Sequence, residues 1–398
     1  MQSDCKPLSG IRVVEFTHMV MGPTAGVILA DLGADVVKVE PLGGDKTRRL
    51  QGSGAGYFPM YNRNKRSICI DLKSETGHEV ALRLIDNADV LIENFRLGSM
   101  ERLGFGYETL KSRNPRLIYC SLKGFLSGPY EKRTALDEVT QMMGGLAYMT
   151  GLPGRPLRAG SSVIDITGGM FGVIAVMAAL EQRHVTGTGQ KVTSSLFETT
   201  AFIVGQHMAQ QVVTGEEPPP MSIRRSAWAI YDIFECRDQG QVFVGVVSDT
   251  LWKAFCKEFG LEALGQDESL VTNSDRVTNK ERILDVIVPL FQGLTVDEAS
   301  NRLEHAGIPF APINRPADLF DDPHLSVAGG LVEVTLRGGK NDGRTVHLPA
   351  LPLEMAGEKL GVWRDLPEQG RDTVAVLREA KYCDAEIEAL LEQGTVAN

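Results

Sequence analysis

The sequence has few cysteines and histidines, and none of them is grouped. Its six cysteines lie apart, without the Cys-x-x-Cys spacing of redox and zinc motifs, and its seven histidines form no cluster with them that has zinc-ligand spacing. This absence argues against a disulfide framework and against a zinc site. We therefore expect free thiols, a reducing cytoplasmic location and no bound metal.

Positive charge is also scarce. Lysine and arginine together number 41 against 51 aspartates and glutamates, which gives a formal net charge of −10. Nucleic-acid-binding domains carry the opposite balance, so nucleic acid is not an expected partner. An anionic small molecule stays compatible with this charge, because it needs only a local basic pocket.

Long hydrophobic runs are nearly absent as well. Residues 1–7 are largely polar or charged and contain no secretory hydrophobic core. The longest apolar stretch, residues 164–180, includes Asp165, Thr167 and several glycines. This composition predicts a core helix of a cytoplasmic protein and no membrane span.

What the sequence does contain is an alternation of short apolar strands and helices in its first third. This rhythm predicts an α/β fold with a parallel doubly wound sheet. A nicotinamide-binding version is disfavoured, because residues 22–26 read GPTAG and lack the G-x-G-x-x-G turn that holds a pyrophosphate. The strand-like segments are residues 11–16, 35–40, 67–71, 90–93 and 117–121, with a helix at 23–32.

A proline-rich connection at residues 215–220 is the best internal boundary of the chain, whose length suggests two to three domains. Beyond it the pattern predicts a strand pair followed by amphipathic helices, one of which begins with a capping-box pattern at Thr295 and Glu298. The strands are expected at residues 229–235 and 241–247, and helices at 251–259, 280–292, from 295 onward and at 384–393.

Asp165 opens the longest apolar stretch and is its most conspicuous residue. A helix that is apolar all round is normally buried, and charged side chains are rarely buried unless they are paired or used. Aspartate is also a favoured helix N-cap, whose carboxylate binds the free amides of the first turn. On residue type alone, a capping role and a chemical role for Asp165 both stay open.

The order of motifs along the chain favours the chemical role. A glycine, an alanine-rich apolar helix and the string TGTGQ at residues 186–190 follow Asp165. The other motifs are FTHMVMGP at 16–23, LGADVVKVE at 32–40, NRNKRSI at 62–68, ENF at 93–95, GFLSGPY at 124–130, GIP at 307–309 and DPH at 322–324. In this order, and over most of its length, the sequence resembles the class III CoA-transferases, the family of formyl-CoA transferase and carnitine CoA-transferase.

The resemblance implies a domain plan and two acidic site residues. It implies a large Rossmann-like CoA-binding domain over residues 1–215, a smaller α+β domain over 225–325, and a C-terminal part, 326–398, that returns to the large domain. It also implies a homodimer whose two chains interlock like linked rings. Asp165 falls where the family has a nucleophilic aspartate, and Asp137 where the family has an acidic residue in a supporting role.

The implied substrate is coenzyme A as a thioester, transferred between carboxylic acids through covalent intermediates on Asp165. The intermediates would be an acyl-aspartyl anhydride and then an aspartyl-CoA thioester. We expect the backbone amides at the start of the Asp165 helix to bind the developing oxyanions. With an ordinary aspartate pKa of about 3.9 and a helix N-terminus beside it, Asp165 is expected to be ionised at neutral pH.

The resemblance also assigns CoA contacts to several of these motifs. Phe95 offers a stacking face or an apolar wall, and the cations near it offer partners for phosphates. One family contact, an arginine after the second strand, is Pro41 here, so phosphate contacts are expected to differ in detail. The implied contacts are Val20, Met21, Ile70, Lys73, Asn94, Phe95, Arg96 and Arg102.

The sequence gives weaker evidence about which carboxylic acids are the substrates. The glycine-rich loop that covers the nucleophile in formyl-CoA transferase is absent from the corresponding residues 246–252, which argues against formate and oxalate. The preferred interpretation is a short dicarboxylate system, such as succinyl-CoA with itaconate, mesaconate or citramalate. A second carboxylate on the acceptor would meet Arg224 or Arg225, although adjacent arginines beside such a linker are usually just solvated.

Two other functions stay open. The related α-methylacyl-CoA racemases place a histidine immediately before the supporting acid as a proton-transfer group, and this chain has Leu136 there. Leucine transfers no proton, so a racemase or isomerase ranks second. A catalytically inert CoA-binding or scaffold protein is the third hypothesis.

Overall fold

The computed structural model describes residues 6–223 and 226–398. The chain divides into two compact units. The first unit extends to Ser222 and resumes over His324–Asn398, and the second is Ile223–Pro323. The second unit is therefore inserted into the sequence of the first.

The N-terminal part of the first unit alternates strands and helices. Its elements are β1 (Arg12–Phe16), α1 (Met21–Asp31), β2 (Asp35–Glu40), α2 (Tyr57–Tyr61), β3 (Lys65–Ile70), α3 (Glu75–Asp86), β4 (Val90–Glu93), α4 (Ser99–Arg102), α5 (Tyr107–Arg113), β5 (Ile118–Lys123), α6 (Asp137–Met143), α7 (Leu146–Thr150), α8 (Val163–Thr186), β6 (Lys191–Ser195) and α9 (Leu196–Thr214).

The second unit is built on a three-stranded antiparallel sheet in the order β7-β8-β9. The expected strand pair is present as β7 and β8, and the capping box of Thr295 with Glu298 is present at the start of its last long helix. The elements are β7 (Tyr231–Glu235), β8 (Gln241–Gly245), α10 (Asp249–Glu258), α11 (Glu262–Gly265), α12 (Asn273–Thr278), α13 (Lys280–Gln292), α14 (Val296–His305) and β9 (Phe310–Pro312).

The C-terminal part adds short strands and two helices. They are α15 (Pro323–Val327), β10 (Leu331–Thr335), β11 (Thr345–Pro349), β12 (Glu354–Met355), β13 (Glu358–Lys359), α16 (Thr373–Glu379), α17 (Asp384–Glu392) and β14 (Val396–Ala397). The strands β10 with β11, and β12 with β13, form two small antiparallel pairs.

A seven-stranded sheet in the order β14-β3-β2-β1-β4-β5-β6 is the centre of the first unit. The pairs from β3 to β6 are parallel, and β14 joins β3 antiparallel at the edge. The expected α/β fold with a parallel sheet is confirmed. The edge strand β14 was not expected, because its two residues are too few to give a periodic signal.

Neighbouring residues of the central strands face opposite sides of the sheet, as the strand period of two requires. Val13 packs into a core with α1 and α8, whereas Val14 packs into a core with α3 and α16. Helices thus cover both faces, which is why these strands read as nearly continuous apolar runs.

Helix α8 carries Asp165 and lies unusually close to α1. A Cβ atom at Gly168 would lie 2.7 Å from Met21 Cε, and one at Gly169 would lie 2.6 Å from Met21 O. Glycine at these positions therefore permits the close contact between the first turns of α8, which carry Asp165, and Met21 of α1. Among the described residues α8 is the one helix with the length and apolar composition of a membrane span, a test that core helices of soluble proteins also pass.

Candidate active site

The order of the strands in the sheet reverses at β1, which makes the carboxyl ends of β1 and β4 a topological switch point. From β1 the chain proceeds outward through β2 and β3, and β4, β5 and β6 follow on the other side of β1. Crevices at the carboxyl ends of the strands that flank such a reversal are the usual ligand sites of open parallel sheets. Here the crevice lies between the ends of β1 and β4, beside residues 17–20, which we call the first loop.

Side chains of neighbouring segments hold the first loop. Lys38 Nζ donates to Thr17 O at 2.8 Å, and Met19 N donates to Thr47 Oγ1 at 3.1 Å. Met19 has a φ of 64°, a left-handed conformation that is costly for a bulky residue. Such a conformation persists only where the surroundings over-determine it, so the first loop is preorganised.

A fully buried cluster of charges lies beneath this loop. Glu15, Lys38 and Lys65 come from β1, β2 and β3, and each is 0% exposed. The Glu15 carboxylate lies 2.8 Å from Lys65 Nζ and 3.5 Å from Lys38 Nζ. Asp45 lies 3.0 Å from Lys38 Nζ, and Lys65 Nζ donates to Pro23 O at 3.0 Å. Buried charges are tolerated only when they are paired, and this pairing ties the start of α1 to the strands.

Asp165 stands in the first turn of α8 and is partly open to solvent. The buried Asp137 carboxylate caps this helix, because its Oδ2 accepts from Ile164 N at 2.9 Å and from Asp165 N at 3.0 Å. Gln141 Nε2 in turn donates to Asp137 Oδ1 at 2.5 Å. The cap of α8 is therefore Asp137, which leaves the Asp165 side chain free for another role.

This cap narrows the set of amides that could bind the oxyanions of the reaction. The backbone amides at the start of α8 were expected to bind the oxyanions of the reaction, but the amides of Ile164 and Asp165 already donate to Asp137. Sequence reasoning missed the arrangement because Asp137 lies far from α8 along the chain. These two amides are therefore not free to bind an oxyanion.

Arg158 is the cation of this site, and sequence reasoning missed it. Its guanidinium forms an ion pair with Glu138, and its Nη2 lies 3.8 Å from Asp137 Oδ1. Its Nε donates to Ala159 O at 3.1 Å, and Ala159 N donates to Gln141 Oε1 at 2.9 Å. The available signal was an arginine in the glycine- and proline-rich stretch that leads into α8.

The acid–base state of Asp165 differs from the expectation. Burial, followed by the negative charge of Asp137, raises the pKa of Asp165 to about 7, while the Arg158 charge acts in the opposite direction. This upward shift of the Asp165 pKa runs against the expected ordinary, low pKa of an aspartate at a helix N-terminus. The capped amides cannot offset this effect, since they serve Asp137.

Two tyrosines of α2 also belong to this neighbourhood. Burial, together with the charges of Asp165 and Tyr57, raises the pKa of Tyr61 to about 12, so its hydroxyl remains protonated. Tyr61 is thus a neutral hydrogen-bond donor close to Asp165. The sequence offered only a weak signal for it, an aromatic pair spaced by one helical turn after a glycine-rich stretch.

The eight residues assigned to CoA all lie in segments that leave the carboxyl edge of the sheet. Val20 and Met21 are buried where α1 begins after β1, and Ile70 ends β3. Four others follow β3 or β4, and of these Lys73, Arg96 and Arg102 are exposed, whereas Phe95 is half-buried. Their common edge agrees with one site, and their roles stay predictions. Asn94, which directly follows β4, is half-buried.

The remaining site expectations fall elsewhere. Arg224 and Arg225 lie outside the described residues. Residues 246–252 comprise the connection from β8 and the first turn of α10, where Ser248 Oγ accepts from Leu251 N at 3.1 Å as the helix N-cap. Within the described ranges no group of three or more histidine, cysteine, aspartate or glutamate side chains suits a metal ion.

The chain is similar to named CoA-transferases over almost its whole length. It is 33% identical over 386 residues to a succinate–glutarate CoA-transferase of Agrobacterium fabrum, covering 94% of this chain and 95% of that protein. It is 35% identical over 361 residues to an acetyl-CoA:oxalate CoA-transferase of Acetobacter aceti, covering 88% and 90%. Both names describe CoA transfer to or from dicarboxylic acids.

The fold and the family agree with this similarity. The crystal structure of a CaiB/BaiF family protein from Brucella suis superposes with a TM-score of 0.83 at 33% identity, covering 94% of this chain and 99% of that one. A family model described as CoA-transferase family III matches residues 8–373. The chain is therefore a member of CoA-transferase family III.

Proposed function

We propose that this enzyme transfers CoA between dicarboxylic acids and that Asp165 is its nucleophile. The observation that carries the proposal is the state of Asp165, a partly exposed carboxylate at the start of a long apolar helix that Asp137 caps. A carboxylate that has no structural task in such a place is available for covalent chemistry.

The reaction would proceed in balanced steps. The Asp165 carboxylate attacks the thioester carbonyl of the donor, the C–S bond breaks, and an acyl-aspartyl anhydride and a CoA thiolate result. The thiolate then attacks the aspartyl carbonyl, which forms an aspartyl-CoA thioester and releases the donor acid as a carboxylate. The acceptor carboxylate reverses both steps, so that no net proton transfer is required.

The surroundings of Asp165 would support these steps in two ways. Arg158 favours the ionised form of Asp165, which is the form that attacks. Asp137 fixes the helix start, so that the carboxylate meets the thioester in a defined position. We propose the protonated Tyr61 hydroxyl as one donor that faces the developing charge.

The named relatives act on dicarboxylic acids, which supports a dicarboxylate as the acceptor. The earlier argument against oxalate is not supported, because the oxalate-named relative is as similar to this chain as the glutarate-named one. A racemase is not favoured, since Leu136 occupies the position of the second proton-transfer group and is 63% exposed. Succinyl-CoA with a short dicarboxylate such as glutarate, itaconate, mesaconate or citramalate remains the preferred pairing.

The proposal includes a cytoplasmic location and a domain plan of three segments, at residues 1–215, 225–325 and 326–398. It also includes an interlocked homodimer. The homodimer is supported by an exposed apolar face on α8 and α9, where Ile174 is 59%, Phe202 73% and Val212 85% exposed. Soluble monomers rarely leave such a face open. Light scattering of the purified protein at micromolar concentration should give the mass of two chains.

The decisive experiment for the activity is a substrate panel. The purified protein is incubated with succinyl-CoA, acetyl-CoA or formyl-CoA and with each of several free acids, and the CoA esters formed are identified by mass spectrometry. We expect new esters only with dicarboxylates, and none without an acceptor. Hydrolysis alone, or no reaction with any pair, would contradict the proposal.

A further inference from the structure

Two clamps each hold the backbone N–H and C=O of one residue, His18 after β1 and Phe95 after β4. At the first clamp, Asn94 Oδ1 accepts from His18 N at 3.1 Å, while Asn94 Nδ2 donates to His18 O at 2.9 Å. Both polar atoms of the Asn94 amide are therefore engaged by the first loop. This leaves Asn94 little capacity to bind a ligand directly.

The second clamp holds Phe95. Lys123 Nζ donates to Phe95 O at 2.7 Å, and Phe95 N donates to Glu93 Oε2 at 3.0 Å. The two holding groups also pair with each other, with 2.7 Å between Lys123 Nζ and Glu93 Oε2. Ser121 Oγ donates to the other oxygen, Glu93 Oε1, at 2.6 Å, which fixes the carboxylate.

The clamps connect the carboxyl ends of three adjacent strands. Asn94 links the end of β4 to the loop after β1, and Lys123 links the end of β5 to the segment after β4. The two clamped residues then meet, because the rings of His18 and Phe95 contact edge to face with centroids 5.7 Å apart. The crevice is thus bordered by one rigid aromatic pair.

We propose that Lys123 and Asn94 are positioning residues of the CoA site, which hold Phe95 and His18 where the CoA moiety binds. The proposal rests on the proposed function, because it concerns the same thioester site. Lys123 is well suited to this task, since its ammonium group satisfies both a peptide oxygen and a buried carboxylate while its side chain is only 14% exposed. A preorganised aromatic wall reduces the ordering that binding must impose on the site.

The chain offers a matched control at the opposite edge of the same sheet. Arg183 is 4% exposed, pairs with Asp89 at 2.8 Å and donates to Arg116 O at 3.0 Å. It is also a buried cation that holds a backbone carbonyl and a carboxylate, but it lies near the amino ends of β4 and β5. Arg183→Met should therefore reproduce the loss of stability without the loss of CoA binding.

The test compares Lys123→Met with Arg183→Met and wild type. Calorimetry measures the Kd for free CoA, steady-state kinetics measure KM for the acyl-CoA and for the carboxylate, and thermal unfolding measures stability. For Lys123→Met we expect the Kd for CoA and the KM for the acyl-CoA to rise about tenfold, because binding must then order the released Phe95, with the KM for the carboxylate nearly unchanged. Arg183→Met should leave all three constants close to those of wild type.

Each outcome decides something. Equal Kd values for CoA in wild type and Lys123→Met would overturn the positioning role while leaving the transferase intact. A wild-type protein that binds no CoA would overturn the proposed function together with this inference. If Lys123→Met does not fold, Asn94→Leu provides the same readout, because it releases the His18 peptide and leaves the ion pair in place.

Discussion

Asp137 Oδ2 accepts a hydrogen bond from the backbone amide of Asp165 at 3.0 Å, so the acid that supports the candidate nucleophile also caps its helix. The same contact brings two carboxylates together, which favours the protonated form of Asp165. The carboxylate that caps α8 therefore also raises the pKa of the candidate nucleophile. Removing the Asp137 charge while keeping its shape should separate the two effects.

The variant Asp137→Asn keeps a side-chain oxygen for the amides of α8 and removes the negative charge. Because that charge raises the pKa of Asp165, the acid limb of kcat/KM should move to lower pH. The variant Arg158→Gln removes the cation that acts in the other direction, so it should move the limb to higher pH. Asp137 and Arg158 are the charges that act on the Asp165 pKa, and Asp165 in turn raises that of Tyr61. Shifts in the same direction for both variants would contradict this assignment.

The nucleophile itself is tested by trapping. Native protein incubated with acyl-CoA and then with hydroxylamine or borohydride should be modified at Asp165 alone, as peptide mass spectrometry would show. Asp165→Ala should lose transfer activity while its affinity for free CoA stays close to that of wild type. Turnover by the alanine variant at the rate of wild type would exclude covalent catalysis at this residue.

A third prediction concerns stability rather than rate. The pKa of Asp165 is raised from 3.8 to about 7 in the folded chain, so the folded state binds the proton more tightly than the unfolded state between these values. Stability contributed by this group is present at low pH and is lost as pH rises towards about 7. Asp165→Asn should therefore be more stable than wild type at pH 8, by about 2–4 kcal/mol, and close to wild type at pH 4. Unfolding by urea at the two pH values measures the difference.

Much of the fold was accessible from the sequence. Five strands of the parallel sheet and the helix that carries Asp165 each give a local apolar pattern, so the sequence predicts them directly. The relation between Asp137 and α8 could not be predicted in this way. It depends on how α6 packs beside α8, which no local pattern encodes.

The buried charges are a second case. Glu15, Lys38 and Lys65 stand in three different strands, and none of them has an opposite charge beside it that marks it as part of a buried cluster. They become one cluster only when β1, β2 and β3 are adjacent, and strand order is not a local property of a sequence. The same holds for Lys123, whose partner Glu93 belongs to the neighbouring strand.

The charge cluster leads to a prediction about Gly26 in α1. A Cβ atom there would lie 1.8 Å from Glu15 Oε2 and 2.8 Å from Lys65 Nζ, so Gly26→Ala must displace a buried ion pair. We expect a loss of about 2–4 kcal/mol in the free energy of unfolding, together with weaker CoA binding through the displaced first loop. Gly43→Ala is the control, because a Cβ at Gly43 meets nothing within 4 Å and Gly43 is exposed. If Gly26→Ala unfolds in urea at the same midpoint as wild type, the buried charges can be displaced without loss of stability, and the prediction is wrong.

The last prediction separates the transferase from the racemase, and it concerns Leu136. A racemase exchanges the hydrogen on the carbon beside the thioester and needs two positioned proton-transfer groups. This chain has Asp137 next to Leu136, but the Asp137 carboxylate is buried and already accepts hydrogen bonds from two backbone amides. A 2-methylacyl-CoA incubated with the protein in deuterated water should therefore take up no deuterium at that carbon. Addition of a dicarboxylate to a suitable acyl-CoA should give a new CoA ester under the same conditions. Rapid deuterium uptake without any acceptor-dependent ester would assign the site to proton transfer instead.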